Sequence, residues 1–270
     1  MSQAQVLIGE GAVLLTLEEG VAHLRLNRPE ASNGLDIPTL RDLNAALLRC
    51  HGERRIRAVL LSGAGANFCA GGDVRTFLAL GEELPEYVRQ ATLLLQNAIA
   101  AMIHLDAPIV AAVQGFAAGG GGMGLVCACD LVLAAESAAF LAGATRVAMA
   151  PDAGLSVTLP RLVGPRKAAE MLLLNPVVNA PEALQLGLIN RVVADTELLD
   201  AALEQARSVA RGAPRALAAT KRLLWAGIGL GVDAAMPEES RSVAALCRTA
   251  DVREGLAAVV EKRQARFEGR

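Results

Sequence analysis

Two stretches of this 270-residue sequence run from apolar segments into bare backbone: "ANFCAGGDVRTF" at 66–77 and "VQGFAAGGGGMGLVCACD" at 113–130. A backbone N–H can approach a ligand oxygen closely only where no side chain intervenes. A glycine-rich turn that opens a helix also directs free N–H groups and partial positive charge outward. Two such turns, each after a buried strand, can aim two donors at one carbonyl oxygen. One donor of this kind typically accounts for about 3–4 kcal/mol of transition-state stabilisation. Tight helix–strand packing needs glycine equally, so the spacing leaves both uses open. The run at 119–124 also satisfies the dinucleotide pattern G-x-G-x-x-G. Its place deep in the chain argues against a dinucleotide, as does the lack of an acidic residue ending a second strand.

A third stretch, "VAMAPDAGLS", puts the carboxylate of Asp152 in a Pro-Asp-Ala-Gly corner. Such a residue is either a turn or cap residue or an acid/base. His23, His51 and His104 read as structural, Asp73 as a turn or cap residue, and Asp130 as a structural acceptor. Cys127 and Cys129 have no His or further Cys beside them, so a metal or redox motif is not expected.

The elements that must position these groups alternate. "GAVLLTLEEGVAHLRLNRPE" reads as two strands around a Glu-Glu-Gly turn. Asp36 is placed to cap a helix with Pro38 in its first turn and Leu40, Leu43, Leu47 and Leu48 at helical spacing. "IRAVLLSG" and "PIVAAVQG" read as buried parallel strands, with a helix over about 86–104 between them and a helix through "MGLVCA" after the glycines. "DLVLAAE" is a further strand, so the chain is α/β. Beyond about residue 164 the segments read as helices, with one short strand at "INRVVA".

Hydrophobic residues make up 53%, enough for one large core. A net charge of −2 and 3% aromatic residues argue against nucleic acid as a partner. The five cysteines read as reduced and buried. No stretch reads as a membrane span and "MSQAQVLIGEG" does not read as a leader, so a cytoplasmic protein is expected.

"HLRLNRPEASNGLD", "AVLLSGAGANFCAGGDVRTF", "PIVAAVQGFAAGGGGMGLVCACDLVLA", "PDAGLSVTLPRLVG", "EALQLGLINRVV" and "EGLAAVVEKRQARF" together resemble the crotonase superfamily, the enoyl-CoA hydratases and isomerases. The likeness covers nearly the whole chain in order. It implies a crotonase (ClpP-like) spiral of ββα units over residues 1–200, then a helical trimerisation region over 201–270. It also implies a homotrimer or homohexamer acting on an acyl-CoA thioester. Coenzyme A would be part of the substrate, with no separate cofactor and no metal.

Carried over by motif, Gly72 and Gly121 supply the two oxyanion N–H groups, with Gly120 the alternative to Gly121. The resemblance further assigns Arg28, Ala31, Ala70, Gly120, Ala144, Lys262 and Phe267 to substrate binding. Lys221 and Arg263 are further candidates for the CoA phosphates. The family's hydratases carry two glutamates, and their positions here are Gly124 and Ala144. Water addition needs a carboxylate to activate water and a partner to position it or supply the α-proton, so the usual hydratase apparatus is absent. Asp152 stands where non-hydratase branches place an acidic residue. A dehalogenase would need a histidine at Gln96 and a tryptophan at Ala144, and neither is present. The expected reaction is enoyl-CoA isomerisation with Asp152 as single acid/base. The alternatives are a hydratase-type lyase with an atypical site and a non-catalytic acyl-CoA-binding subunit.

Overall fold

The computed structural model describes residues 4–270; residues 1–3, where the leader reading begins, lie outside the described residues. The chain opens with β1 (Gln5–Ile8), β2 (Val13–Glu18), β3 (Val21–Leu26) and α1 (Ile37–Gly52). Then come β4 (Ala58–Gly63), α2 (Val74–Ala79), α3 (Leu84–His104), β5 (Ile109–Val113), β6 (Phe116–Ala118) and α4 (Gly119–Ala128). β7 (Leu131–Ala135), β8 (Ala139–Leu141), α5 (Leu155–Val163), α6 (Pro165–Leu174), β9 (Val178–Asn179), α7 (Ala180–Gln185) and β10 (Arg191–Val193) follow. The chain closes with α8 (Leu198–Ala210), α9 (Pro214–Gly227), α10 (Val232–Leu246) and α11 (Ala250–Glu261).

The main sheet runs β1-β2-β3-β4-β5-β7-β10. It is antiparallel through β3 and parallel from β3 to β10. β4 and β5 are almost wholly apolar and buried along their length, because helices cover both faces. α1 and α3 pack together as neighbours, and α8 lies against β4, β5 and β7. The sheet therefore takes its second cover from a helix that spans residues 200 and 201.

A small second sheet, β6-β8-β9, sets the site. After β5 the chain enters β6 and then α4; after β7 it enters β8. After β4, Cys69 bridges Ala117 of β6, and Leu35 bridges Gly72. Successive turns of the spiral thus stack through short pairings, which bring the ends of β4 and β6 side by side. The ββα winding agrees with the expected crotonase architecture.

Asp36 caps α1 as expected, accepting from Thr39 N at 2.8 Å. Three expectations need correction. α4 begins at Gly119, so the glycines are themselves the first helical turn. β9 is a second short strand beyond residue 164, formed by pairing with β8. Cys247 is exposed and Cys129 half-buried, so only three of the cysteines are buried. No helix among the described residues is long and apolar enough to cross a membrane.

Candidate active site

The glycine at 71 answers a packing demand. Its φ is +90°, and a Cβ there would stand 2.6 Å from Ala118 O and 3.0 Å from Gly119 Cα. The turn after β4 thus lies directly on the turn that starts α4. A Cβ at Gly121 would stand 2.7 Å from Leu35 Cδ1 and 3.2 Å from Gly71 Cα. Close packing and bare amides turn out to be one arrangement: the same contact that forbids side chains brings the two backbones together.

The loop from Arg28 to Asp36 holds the first turn. Ala70 N donates to Ser32 O at 3.0 Å, and Leu35 N donates to Gly71 O at 2.7 Å. Asn33 is fully buried; its Nδ2 donates to Ala64 O and Asn67 O, and its Oδ1 accepts from Arg28 N. The Arg28 guanidinium donates to Gly34 O and pairs with Asp36 at 3.0 Å and Asp73 at 2.9 Å. Asp73 in turn caps α2 through Arg75 N and Thr76 N, as its turn-residue reading expected. Burial pushes the Asp73 carboxyl up, but the Thr76 amide and Arg28 outweigh it and hold the pKa below the ordinary value. Between these anchored residues, the Gly72 N–H donates to no group among the described residues. On the other side, Ala118 N donates to Cys69 O, and among the described residues no side chain caps α4. The first-turn amides, Gly119 to Gly121, have no intrahelical acceptor by helix geometry.

Gly72, Gly120 and Gly121 line one cleft of about 270 Å³ with Leu35, Phe77 and Leu95 among its apolar walls. Ala70 and Ala144 also line it. The Phe77 ring lies over Gly72, where a Cβ would stand 2.7 Å from its Cζ, and packs edge-on against Tyr87 at 6.1 Å.

Asp152 is the only carboxylate among the residues lining this cleft, and Arg146 the only cation. Arg146 is engaged elsewhere, donating to Asn175 O at 2.5 Å. The Asp152 carboxylate lies against Gly120, where a Cβ would overlap Oδ1. It has no ion-pair partner among the described residues. Burial pushes its pKa above the ordinary value, opposed only by its own backbone N–H.

Other expected site residues fall elsewhere. Arg28 has both flanking carboxylates as partners and braces the Gly72 turn. Ala31 ends a short 3-10 turn, and its carbonyl accepts from Gly34 N. Lys262 is exposed at the end of α11 with φ +53°. Phe267 packs on Gly255 in a separate cavity of about 470 Å³. Neither Lys262 nor Phe267 lines the cleft of its own chain. Arg263 is held by Glu254 and Glu261. Lys221 is no phosphate ligand: it is 5% exposed and pairs with Asp130 at 2.8 Å. For His23 and His51 the structural reading agrees with their contacts, His23 Nε2 meeting Ser62 Oγ and His51 Nε2 meeting Ala101 O.

Sequence reasoning missed Leu35 and Phe77 as cleft walls. Leu35 is the penultimate residue of the first resemblance motif, and Phe77 sits on the short helix α2 after Gly72. Both signals are legible only once the turns are known to meet.

A largely parallel sheet wound by ββα turns, with paired glycine turns opening on one apolar cleft, is the crotonase architecture. The model described as "Enoyl-CoA hydratase/isomerase" matches residues 16–270, and the chain belongs to that family. A relative named "Probable enoyl-CoA hydratase" from Rhodobacter capsulatus is 38% identical over 254 residues, 94% of this chain and 96% of its own length. The crotonyl-CoA hydratase of Syntrophomonas wolfei is 32% identical, covering 94% of this chain and 97% of its own. A crystal structure of an enoyl-CoA hydratase from a Polaromonas species superposes with a TM-score of 0.91 at 32% identity, covering 96% of this chain and all of that one.

Proposed function

We propose that this acyl-CoA enzyme shifts a C=C bond of an enoyl-CoA thioester, with Asp152 as its single acid/base. The observation that carries this reading is the Asp152 carboxylate, alone in the cleft that also holds the glycine amides and without an ion-pair partner among the described residues. The thioester oxygen would accept from Gly72 N–H and Gly121 N–H. Donation there withdraws charge and makes the protons on C2 acidic. Asp152 takes one of them, and the C–H electron pair becomes part of a dienolate held on the thioester oxygen. Return of the proton to C4 leaves the double bond between C2 and C3. One carboxylate that reaches both carbons along one face suffices, whereas water addition calls for a second group.

Coenzyme A enters as part of the substrate. The exposed apolar side chains of the last helices, among them Val232, Val243, Val259 and Val260, suit a buried contact between copies, in keeping with a trimer or a pair of trimers.

A second reading has a specific support: the relatives are mostly named hydratases. On that reading water would be activated without the two glutamates. The deciding experiment measures a C6 3-enoyl-CoA and a C6 2-enoyl-CoA on the wild type and on Asp152→Asn. Migration that is brisk in the wild type and lost in the variant supports the proposal. A brisk hydration rate that survives Asp152→Asn sinks it.

A further inference from the structure

α4 carries two glycines one helical turn apart, Gly120 and Gly124, on the face toward the turn that bears Asp152. Neither has a positive φ, so space and not conformation keeps them bare. A Cβ at Gly120 would overlap Asp152 Oδ1; a Cβ at Gly124 would overlap the Cβ of Ala153 and stand 3.4 Å from Ala153 O. The facing turn is unusual in its own right. Ala153 has φ +52° and Gly154 φ +77°, a region that costs a residue with a Cβ. The turn closes through Leu155 N to Asp152 O at 2.9 Å and leads into α5, which packs on α4. Ala153 itself is only 3% exposed. Two consecutive residues therefore fit two glycine notches: the Ala153 methyl over Gly124 and the Asp152 carboxylate over Gly120.

We infer that Gly124 is a positioning residue, whose missing side chain seats Ala153 and so holds the Asp152 carboxylate over Gly120 in the cleft. The inference rests on Asp152 being the acid/base proposed above. It makes a side chain at 124 and a seated Asp152 mutually exclusive. The position where the resemblance expects a hydratase glutamate is filled here by the methyl group of Ala153, so the exchange of chemistry is built into the packing.

The test is a reciprocal swap. Gly124→Ala adds the Cβ that Ala153 now supplies; Ala153→Gly removes the latter; the double variant restores the total volume. Migration of a C6 3-enoyl-CoA, binding of unreactive hexanoyl-CoA, the pH profile of kcat and the melting midpoint are measured for each. Gly124→Ala should lower kcat by about 10- to 100-fold through misplacement of the base, with the hexanoyl-CoA Kd held within a few-fold.

Its acid limb should move to lower pH, because a displaced carboxylate loses the burial that raises it. The other titratable groups on the surrounding elements are Arg146 on the Ala144–Val147 turn, Cys127 on α4 and Arg161 on α5. The double variant should recover kcat to within about threefold of the wild type, together with the wild-type acid limb.

A folded Gly124→Ala with wild-type kcat and pH profile overturns the inference. So does a loss that the double variant does not recover. If Gly124→Ala does not fold, the double variant decides: recovery supports the seat, and a folded inactive or unfolded double variant overturns it. Asp152→Asn at the wild-type rate removes the proposed function and this inference with it. Asp152→Asn inactive beside an unaffected Gly124→Ala removes the inference alone.

Discussion

Two aspartates lie at opposite ends of α4, and the fold treats them in opposite ways. Asp130, just past the C-terminal end, accepts from Ile109 N at 2.7 Å and from the buried Lys221 ammonium at 2.8 Å. Lys221 also donates to Met102 O at 2.9 Å. That cation meets the last turn of α3, where carbonyls concentrate negative charge. Asp152, against the N-terminal turn, has no ion-pair partner among the described residues and is pushed toward its neutral form by burial. A carboxylate whose lone pairs are engaged by fixed donors holds elements together and is unavailable to a substrate. One that is buried without partners weakens the fold and is ready to move a proton.

The sharpest way to break this contrast is to remove each charge and read activity. Asp152→Asn should lower double-bond migration by about 10²- to 10⁴-fold, while Asp130→Asn keeps the rate per folded molecule. Equal losses in both would erase the distinction. Next in size is stability: Lys221→Met strands the Asp130 carboxylate and should cost about 3–5 kcal/mol in denaturant unfolding. A change under 1 kcal/mol would mean that the pair holds nothing.

Gly71→Ala comes third. Its Cβ would press on the Ala118 carbonyl at a φ that alanine resists, parting the two glycine turns. A drop in kcat of about 10² is expected, on the scale of one lost oxyanion donor, with the fold intact by circular dichroism.

Smaller effects concern pH. A raised Asp152 pKa means migration should fade as pH drops through a value above the ordinary aspartate range of about 3.9, since the base must be ionised. An acid limb at or below that value would contradict the burial. The matching stability effect has a definite sign. The contribution of a group with raised folded pKa is full below its unfolded pKa and is lost as pH rises through the folded one. Asp152→Asn should therefore raise the melting temperature at neutral pH and leave it unchanged in acid. An unchanged midpoint in both buffers would show that the carboxylate is better solvated than its place suggests.

Much of the scaffold is determined by local sequence. The β2–β3 hairpin, the Asp36 cap of α1 and the apolar strands β4 and β5 follow from turn residues, capping chemistry and continuous burial, all of which act over a few neighbouring residues. Where the pattern is weak no bounds could be drawn: α10 carries Pro237 inside a largely exposed helix, so neither apolar spacing nor propensity marked where it starts and stops. β6, β8 and β9 have two or three residues each, too few for any periodicity, and they exist only as pairings.

The site divides along the same line. That Gly72 and the glycine run could present bare amides, and that Asp152 is a carboxylate near them in kind, is written in residue types and motif order. Only the tertiary structure decided that Gly71 and Ala118 touch, that Lys221 turns inward to a partner 91 positions away in sequence, and that Gly124 faces the Ala153 methyl group. Those outcomes depend on which surfaces meet when the spiral closes, and close packing discriminates between a hydrogen atom and a methyl group, a distinction that no local pattern of residues carries.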